Sequence, residues 1–388
     1  MLSTHELRLS NDRAAPTCAS PDRACRNAIG RRPSPTVTIL SDRWHGLRNV
    51  PHVRLCRLPT PVEPLPQLSA HAGAELWIKR DDQSAEHYGG NKVRKLEYLL
   101  GDALSRKADT LVTAGAAGSH HALATTLYGA DLGFQTHAVL MPQRYGVHAE
   151  ENLRALQIAG AHAHPVGGGA GIVPRMTALA ASLRVRGRHP YLIPPGGSNV
   201  AGVIGYVEAG LELARQLEAG QMLEPDAIFV PLGTGGTLSG LAIGLAAGGV
   251  TTPIYGVRVV PRSLAHPALI ASLIKRTVKH LRRLDARFPD VTKLARAQVE
   301  IDHGEAGQGY GVPSSAGRSA LRLVRDHVGI ELDDTYTAKT FASVLRHASG
   351  AHAKRRLLYW HTLSSAPIDS RVRNAPPLPS SLRRLLRR

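Results

Sequence analysis

Short β-rich runs alternating with longer helical patterns along most of the chain predict an α/β fold of parallel sheets with helices on both faces. Two further observations support that class. Clusters of glycine and serine fall directly after several runs, and sheets of this kind place their ligands beyond the carboxyl ends of the strands. A chain of 388 residues, 43% hydrophobic and 20% charged, is also large enough to bury the cores of two closely joined domains.

The elements follow in order. Residues 1–45 are rich in Ser, Pro and Arg without apolar periodicity, so a disordered leader is expected there. Its polar start (MLSTHELRLSNDR) lacks a secretory pattern, and Glu6, Asp12 and Asp22 are acids that mitochondrial presequences avoid. LWIKR (76–80) is the first expected strand, and GGNKVRKLE (89–97) then opens a helix with Lys92 at its start. TLVTAG (110–115) precedes a helix to about residue 130, and THAVLM (136–141) precedes the helical HAEENLRALQIAG. YLIPPGG leads into a helix near 202–217, AIFVPLG (227–233) into one from Leu238, and PIYGVRVV (253–260) into a third. Residues 370–388, with Pro376, Pro377 and Pro379 before an Arg-rich end, read as a disordered basic tail.

The formal net charge of +18 raises the question of nucleic acid or acidic surfaces. Its distribution argues against them as partners of the folded body. Residues 1–50 hold eight basic side chains against four acidic, 258–300 ten against three, and 346–388 ten against one, which leaves the remainder slightly acidic. Lys275, Arg276, Lys279, Arg282 and Arg283 share adjacent helical positions, expected as a solvated face. No apolar run reaches the roughly 20 residues of a membrane span. Three cysteines, Cys18, Cys25 and Cys56, without Cys-x-x-Cys spacing, speak against a disulfide framework or a zinc site, so the cytoplasm is the expected compartment. His148-Ala149-Glu150 and His303-Gly304-Glu305 match half of a zinc-deaminase signature whose cysteine half is missing, and no metal is expected.

Two motifs carry chemistry. GTGGT (Gly233, Thr234, Gly235, Gly236, Thr237) joins a predicted strand to a predicted helix, where close backbone approach, free N–H groups, the helix dipole and two hydroxyls suit a phosphate. Glycine turns also serve tight packing, and the pattern is neither G-x-G-x-x-G nor a P-loop. Lys92, near a helix N-terminus and shielded from water, could lose its proton and attack an aldehyde. Taken alone it could equally be a solvated lysine beside Arg94 and Lys95.

Seven motifs in order make the pair specific. WIKRDD, GGNKVRKLE, TAGAAGSHHALA, IPPGGSNVAGVIGYVEAGLEL, GTGGT, YGVP and DDTYTAK, lying between LPTPVEPLPQL and the final His361-Thr362, together resemble the D-cysteine desulfhydrase and 1-aminocyclopropane-1-carboxylate deaminase family. The resemblance runs from about residue 58 to 362 and implies the tryptophan synthase β-like fold, with two open, mostly parallel twisted sheets flanked by helices. It implies a larger domain from 46–92 and 200–369, a smaller one from 93–199, a homodimer, and pyridoxal 5'-phosphate as cofactor. It also implies that Lys92 is the Schiff-base lysine, that Lys95 and residues 233–237 hold the cofactor phosphate, and that Thr362 meets the pyridine nitrogen. Ser119 falls where the family places a serine near the substrate carboxylate, though serine is equally suited to cap a helix there. Tyr310 and Tyr336 match two tyrosines that approach the substrate.

Two departures stand out. Where the family usually reads Gln-Ser-Asn-His this chain reads Gly118-Ser119-His120-His121, so His120 takes the place of the asparagine at the cofactor's phenolic oxygen and brings its own titration. Leu363-Ser364-Ser365 stands where Gly-Gly commonly follows His-Thr. The expected reaction is β-elimination from D-cysteine or a similar small amino acid to pyruvate, ammonia and sulfide, with Lys92 as general base and Tyr336 assisting. Tyr336-Thr337, rather than Tyr-Glu, tilts the resemblance toward the desulfhydrases. Aminocyclopropane-carboxylate deaminase, a dehydratase or a racemase are the neighbouring alternatives, and an impaired enzyme body that binds nucleic acid through basic ends is the rival from another class.

Overall fold

The computed structural model describes residues 37–144, 146–350, 354–368, 372 and 376–387. Residues 1–36 of the expected leader lie outside them. The chain opens with α1 (Ile39–Arg43), β1 (Val62–Pro64), α2 (Pro66–Ala72), β2 (Glu75–Lys79) and α3 (Asn91–Ser105). Then come β3 (Thr110–Ala116), α4 (His120–Asp131), β4 (Gln135–Met141), β5 (Gln143–Arg144), α5 (Val147–Ile158), β6 (His162–Pro165), α6 (Ile172–Val185) and β7 (Pro190–Leu192). The third stretch holds α7 (Val200–Glu218), β8 (Ala227–Leu232), α8 (Gly236–Ala247), β9 (Ile254–Arg258), α9 (Pro267–Leu284), α10 (Thr292–Ala297) and β10 (Val299–Asp302). The last comprises α11 (Ser315–Val328), α12 (Thr337–Ala348), β11 (Arg356–Trp360), α13 (Ser380–Arg383) and β12 (Leu386–Arg387).

Two main sheets result. One has the order β1-β2-β11-β8-β9-β10, parallel except for β1; the other, β6-β4-β3-β7, is parallel throughout. Every residue of β8 is buried, as a continuous apolar run predicts for a strand covered on both faces. Helices α7 and α8 share one core with that strand, Val203, Val207, Leu238, Leu241 and Leu245 joining Ile228, Val230 and Leu232. Helix α9 is amphipathic, burying Ile270, Ile274, Val278 and Leu281 while its five clustered cations face solvent. The basic stretch is thus the outer face of a packed helix.

Beneath the start of α3 lies a charged network shut off from water. Arg94 bridges Asp81 (2.7 Å) and Glu212 (2.9 Å), and Lys79 reaches the same Glu212 (2.6 Å). Thr60, Gln216 and the Tyr206 hydroxyl complete its hydrogen bonds. Two cations balance two anions, so the group is tolerable in a low-dielectric interior.

The structure departs from the expectations at both ends. The leader does not extend to 45: α1 is capped by Thr38, and Leu40, Trp44 and Leu47 enter the core. Nor is the tail disordered over 376–387, where α13 and β12 form and Leu378, Leu382, Leu385 and Leu386 are buried. Proline and arginine content hid that leucine spacing. Strands β1, β5, β6, β10 and β11 also went unread, four of them of two to four residues and β11 behind a basic run.

Candidate active site

The carboxyl end of β8 delivers GTGGT to the start of α8. The Gly236 N–H donates to Ser198 Oγ (3.2 Å), which stands 2.6 Å from Thr234 Oγ1. A Cβ on Gly236 would lie 2.5 Å from Ser198 Oγ and 2.9 Å from Lys95 Nζ, so only glycine leaves this cradle open. Lys95, 2% exposed, enters from α3 and donates to the Gly196 carbonyl (3.1 Å). No carboxylate pairs with it among the described residues. Burial, and after it the charge of Lys92, push its ammonium well below the usual lysine range. A buried cation without a counter-ion, beside a helix N-terminus and hydroxyl groups, fits a phosphate.

Lys92 stands at the second position of α3, half-buried, its Nζ donating to Asn91 Oδ1 (2.7 Å). Asn91 Nδ2 in turn donates to Thr237 Oγ1 (3.1 Å), tying the lysine to the phosphate-type loop. Burial lowers the Lys92 ammonium to about 8, with Asp333 opposing. The Asn91 N–H donates to the Thr362 carbonyl (3.1 Å), which brings the end of β11 against the start of α3. Leu363 is partly buried, and the next residue braces the opposite loop, Ser364 Oγ accepting from the Gly89 N–H (2.9 Å).

The tyrosines meet as a pair. Tyr336 donates to Tyr310 (Oη to Oη, 2.9 Å), and its ring centre lies 5.8 Å from Lys92 Nζ. Burial pushes both phenols up, so both remain neutral at ordinary pH. Asp333 fixes Tyr336 by accepting the backbone N–H groups of Thr335 (2.9 Å), Tyr336 (2.7 Å) and Thr337 (3.2 Å). Lys339 holds the loop ahead of Tyr310 through the carbonyls of Ala306 (3.2 Å) and Gly309 (3.1 Å). Thr337, singled out in the sequence as tilting the choice of substrate, is fully buried; it donates to the Asp333 carboxylate (2.7 Å) and accepts the Asp333 backbone N–H (2.7 Å).

Ser119 caps α4, its Oγ accepting from the Ala122 N–H (3.2 Å), so its capping role is present whatever else it binds. His120 Nδ1 lies 2.6 Å from the Tyr88 hydroxyl and 3.3 Å from Asn152 Nδ2. Burial lowers the imidazole to about 4, with Asp333 opposing and Lys92 adding to the drop, and leaves it neutral. These contacts bring Lys92, Lys95, the start of α8, the Thr362 backbone, Tyr336 and Tyr310 together, with His120 close enough to Lys92 to feel its charge and Ser119 beside it in the chain. Sequence reasoning assigned no role to Ser198, Asn91, Asp333 or Tyr88. Ser198 and Asp333 lay inside the quoted motifs, and Asn91 adjoins the lysine; nothing in the sequence marked Tyr88. Among the described residues no cluster of three or more His, Cys, Asp or Glu could hold a metal ion. Nor is any helix long and apolar enough to cross a membrane.

Comparison with known proteins agrees with this geometry. Residues 53–362 match the family model described as pyridoxal-phosphate dependent enzyme. A D-cysteine desulfhydrase of Klebsiella pneumoniae is 36% identical over 304 residues, 77% of this chain and 89% of the relative. One from Salmonella paratyphi B is 35% identical over 308 residues, 78% and 89% of the two chains. A solved ACC deaminase homologue superposes with a TM-score of 0.71 at 30% identity, over 88% of this chain and 98% of its own. A tomato (Solanum lycopersicum) threonine deaminase, 18% identical with a TM-score of 0.58 over 98% and 99%, shares the fold. With the matched region spanning the lysine, the phosphate-type cradle and the paired tyrosines, the chain belongs to the family of pyridoxal-phosphate dependent enzymes.

Proposed function

We propose that this enzyme eliminates sulfide from D-cysteine, giving pyruvate and ammonia after water is taken up. The observation that carries the reading is Lys92, an amine lowered to about 8 by burial and linked through Asn91 to the Gly233–Thr237 cradle. The 36% identity to a D-cysteine desulfhydrase supports the substrate. Pyridoxal phosphate supplies the ring that draws electrons from the substrate α-carbon. Lys95, Ser198, Thr234, Gly235, Gly236 and Thr237 hold its phosphate, and Thr362 offers the pyridine nitrogen a neutral hydroxyl.

Lys92 Nζ takes the α-proton. With a pKa near 8, roughly a tenth of this amine is neutral at pH 7, against a few parts in about ten thousand for an ordinary lysine. Ser119 and its neighbouring backbone N–H groups orient the substrate carboxylate. The Tyr336 and Tyr310 hydroxyls, neutral and hydrogen-bonded to each other, hold a proton where the sulfur departs. His120, neutral and fixed by Tyr88, would offer its imidazole to the cofactor's phenolic oxygen.

The same proposal has the enzyme act as a homodimer in the cytoplasm. The homodimer follows from the resemblance to the desulfhydrase and deaminase family. Ring opening of aminocyclopropane carboxylate is the second reading, supported by the likeness to an ACC deaminase homologue. Incubating purified protein with D-cysteine, L-cysteine and aminocyclopropane carboxylate separates the two. Sulfide and pyruvate from D-cysteine, lost in Lys92→Ala, is the expected result. A keto acid from aminocyclopropane carboxylate alone, or sulfide from L-cysteine alone, overturns the substrate assignment.

A further inference from the structure

The chain's last residues lie beyond the matched region, 53–362, yet they pack onto the smaller sheet. Leu378, Leu382, Leu385 and Leu386 are between 4% and 9% exposed and share a core with Leu140 and Leu153. Strand β12 pairs in parallel with β5, Leu386 opposite Gln143, and the Gln143 N–H donates to the Leu385 carbonyl (2.8 Å). The Gln143 side chain turns the other way. Its Oε1 accepts the Gly118 N–H (3.0 Å), while Asn152 Nδ2 donates to the Gly118 carbonyl (2.9 Å).

Both polar groups of the Gly118 backbone are therefore held by side chains, one residue ahead of Ser119 and two ahead of His120. The fit leaves no slack: a Cβ on Gly118 would fall 2.5 Å from Ala149 Cα and 3.2 Å from Gln143 Oε1. The Gln143 side chain also lies beside the second substrate-side loop, its Cγ 3.5 Å from where Gly311, next to Tyr310, would carry a Cβ.

We infer that the carboxy-terminal segment, acting through Gln143, is a positioning clamp for the Gly118-Ser119-His120 loop. Removing the segment frees the β5 backbone, Gln143 loses its register, and the loop amides lose the geometry that presents them to a carboxylate. In this role Gln143 acts through Gly118, as a positioning residue. The inference rests on the proposed role of Ser119 for its kinetic consequence, but not for its structural one.

Two variants test it, Gln143→Ala and a chain ending after residue 375. Amide hydrogen exchange of the cofactor-loaded protein should speed up at least about tenfold in a peptide covering residues 116–122 and stay unchanged in one covering 233–240. Steady-state assays with D-cysteine should show KM raised about tenfold, with kcat and the cofactor's absorbance within about twofold of the parent. If the shortened chain fails to fold, Gln143→Ala alone decides. Unchanged exchange over 116–122 in Gln143→Ala, or equal acceleration over 233–240, overturns the clamp. Should the parent not turn over D-cysteine, the exchange measurement still decides the clamp, while the substrate assignment falls separately.

Discussion

Arg94 lies between Lys92 and Lys95 on α3, and replacing it with methionine tests what holds that helix in place. Its guanidinium donates to Asp81 at 2.7 and 3.0 Å, to Glu212 at 2.9 and 3.1 Å, and to Thr60 at 3.0 Å. Arg94 and Asp81 are at most 1% exposed and Glu212 3%, so water cannot replace the lost cation. In Arg94→Met the pocket keeps two carboxylates against Lys79 alone. Breaking a buried pair from one side costs about 3–5 kcal/mol, and methionine restores some of the packing. Burial opposes the charged form of Glu212, but Arg94 and then Lys79 outweigh it and hold the carboxyl down at about 2.

That depression stabilises the native protein above the unfolded carboxylate range, and the contribution is lost only as pH falls toward about 2. Without Arg94 the depression shrinks, and a proton can relieve the excess charge at a higher pH than in the parent. Urea unfolding followed by tryptophan fluorescence, at pH 7.5 and at pH 5.5, measures both effects. Expected are a loss of about 3–5 kcal/mol at pH 7.5, a smaller deficit at pH 5.5, and recovery of at least half of it when Asp81→Asn is added. A loss below about 1 kcal/mol, or a deficit equal at the two pH values, would refute the electrostatic account.

Other consequences are as open to measurement. The rate at which apoprotein bonds covalently to pyridoxal phosphate, read by absorbance, should rise about tenfold per pH unit below 7 and level off above about 8; a rate still climbing tenfold between pH 8.5 and 9.5 would contradict the lowered Lys92 amine. Gly236→Ala places a methyl group 2.9 Å from Lys95 Nζ, so equilibrium dialysis should find cofactor affinity lowered at least about tenfold with the fold intact by circular dichroism. Because burial lowers His120 from 6.5 to about 4, the folded protein should lose stability as pH falls from 6.5 toward 4. His120→Asn should lose less over that window in thermal melts. Thr337→Ala removes the 2.7 Å bond to Asp333 and should cost about 1–2 kcal/mol in urea unfolding while lowering kcat through a displaced Tyr336.

Much of this was legible in advance. AIFVPLG is apolar throughout because β8 is covered on both faces, and GTGGT follows it because a phosphate-type loop needs glycine where Lys95 and Ser198 approach. Lys92 at a helix start was readable from local pattern as well. The buried network was not: Lys79, Asp81, Arg94 and Glu212 lie up to 133 residues apart in the chain, and each looks like an ordinary surface charge until the fold closes. His120 was recognisable as a departure, but its partner Tyr88 sits 32 residues upstream with nothing to mark it. The C-terminal leucines were masked by the prolines and arginines around them, since their burial depends on a groove supplied by residues more than 200 positions earlier.

The order of the larger sheet has a bearing on how the protein is made. Strand β11, residues 356–360, pairs with β2 on one side and β8 on the other, so the last long strand synthesised is an inner one. Until it leaves the ribosome, β2 and β8 each present an unpaired edge, and the start of α3, which carries Lys92, lacks the Thr362 carbonyl that accepts the Asn91 N–H. A nascent chain stopped near residue 350 therefore holds a gap in its main sheet, long after the smaller sheet, complete by residue 192, has been able to form. Cofactor capture belongs to the end of synthesis, and the half-built sheet is the species a chaperone would have to shield.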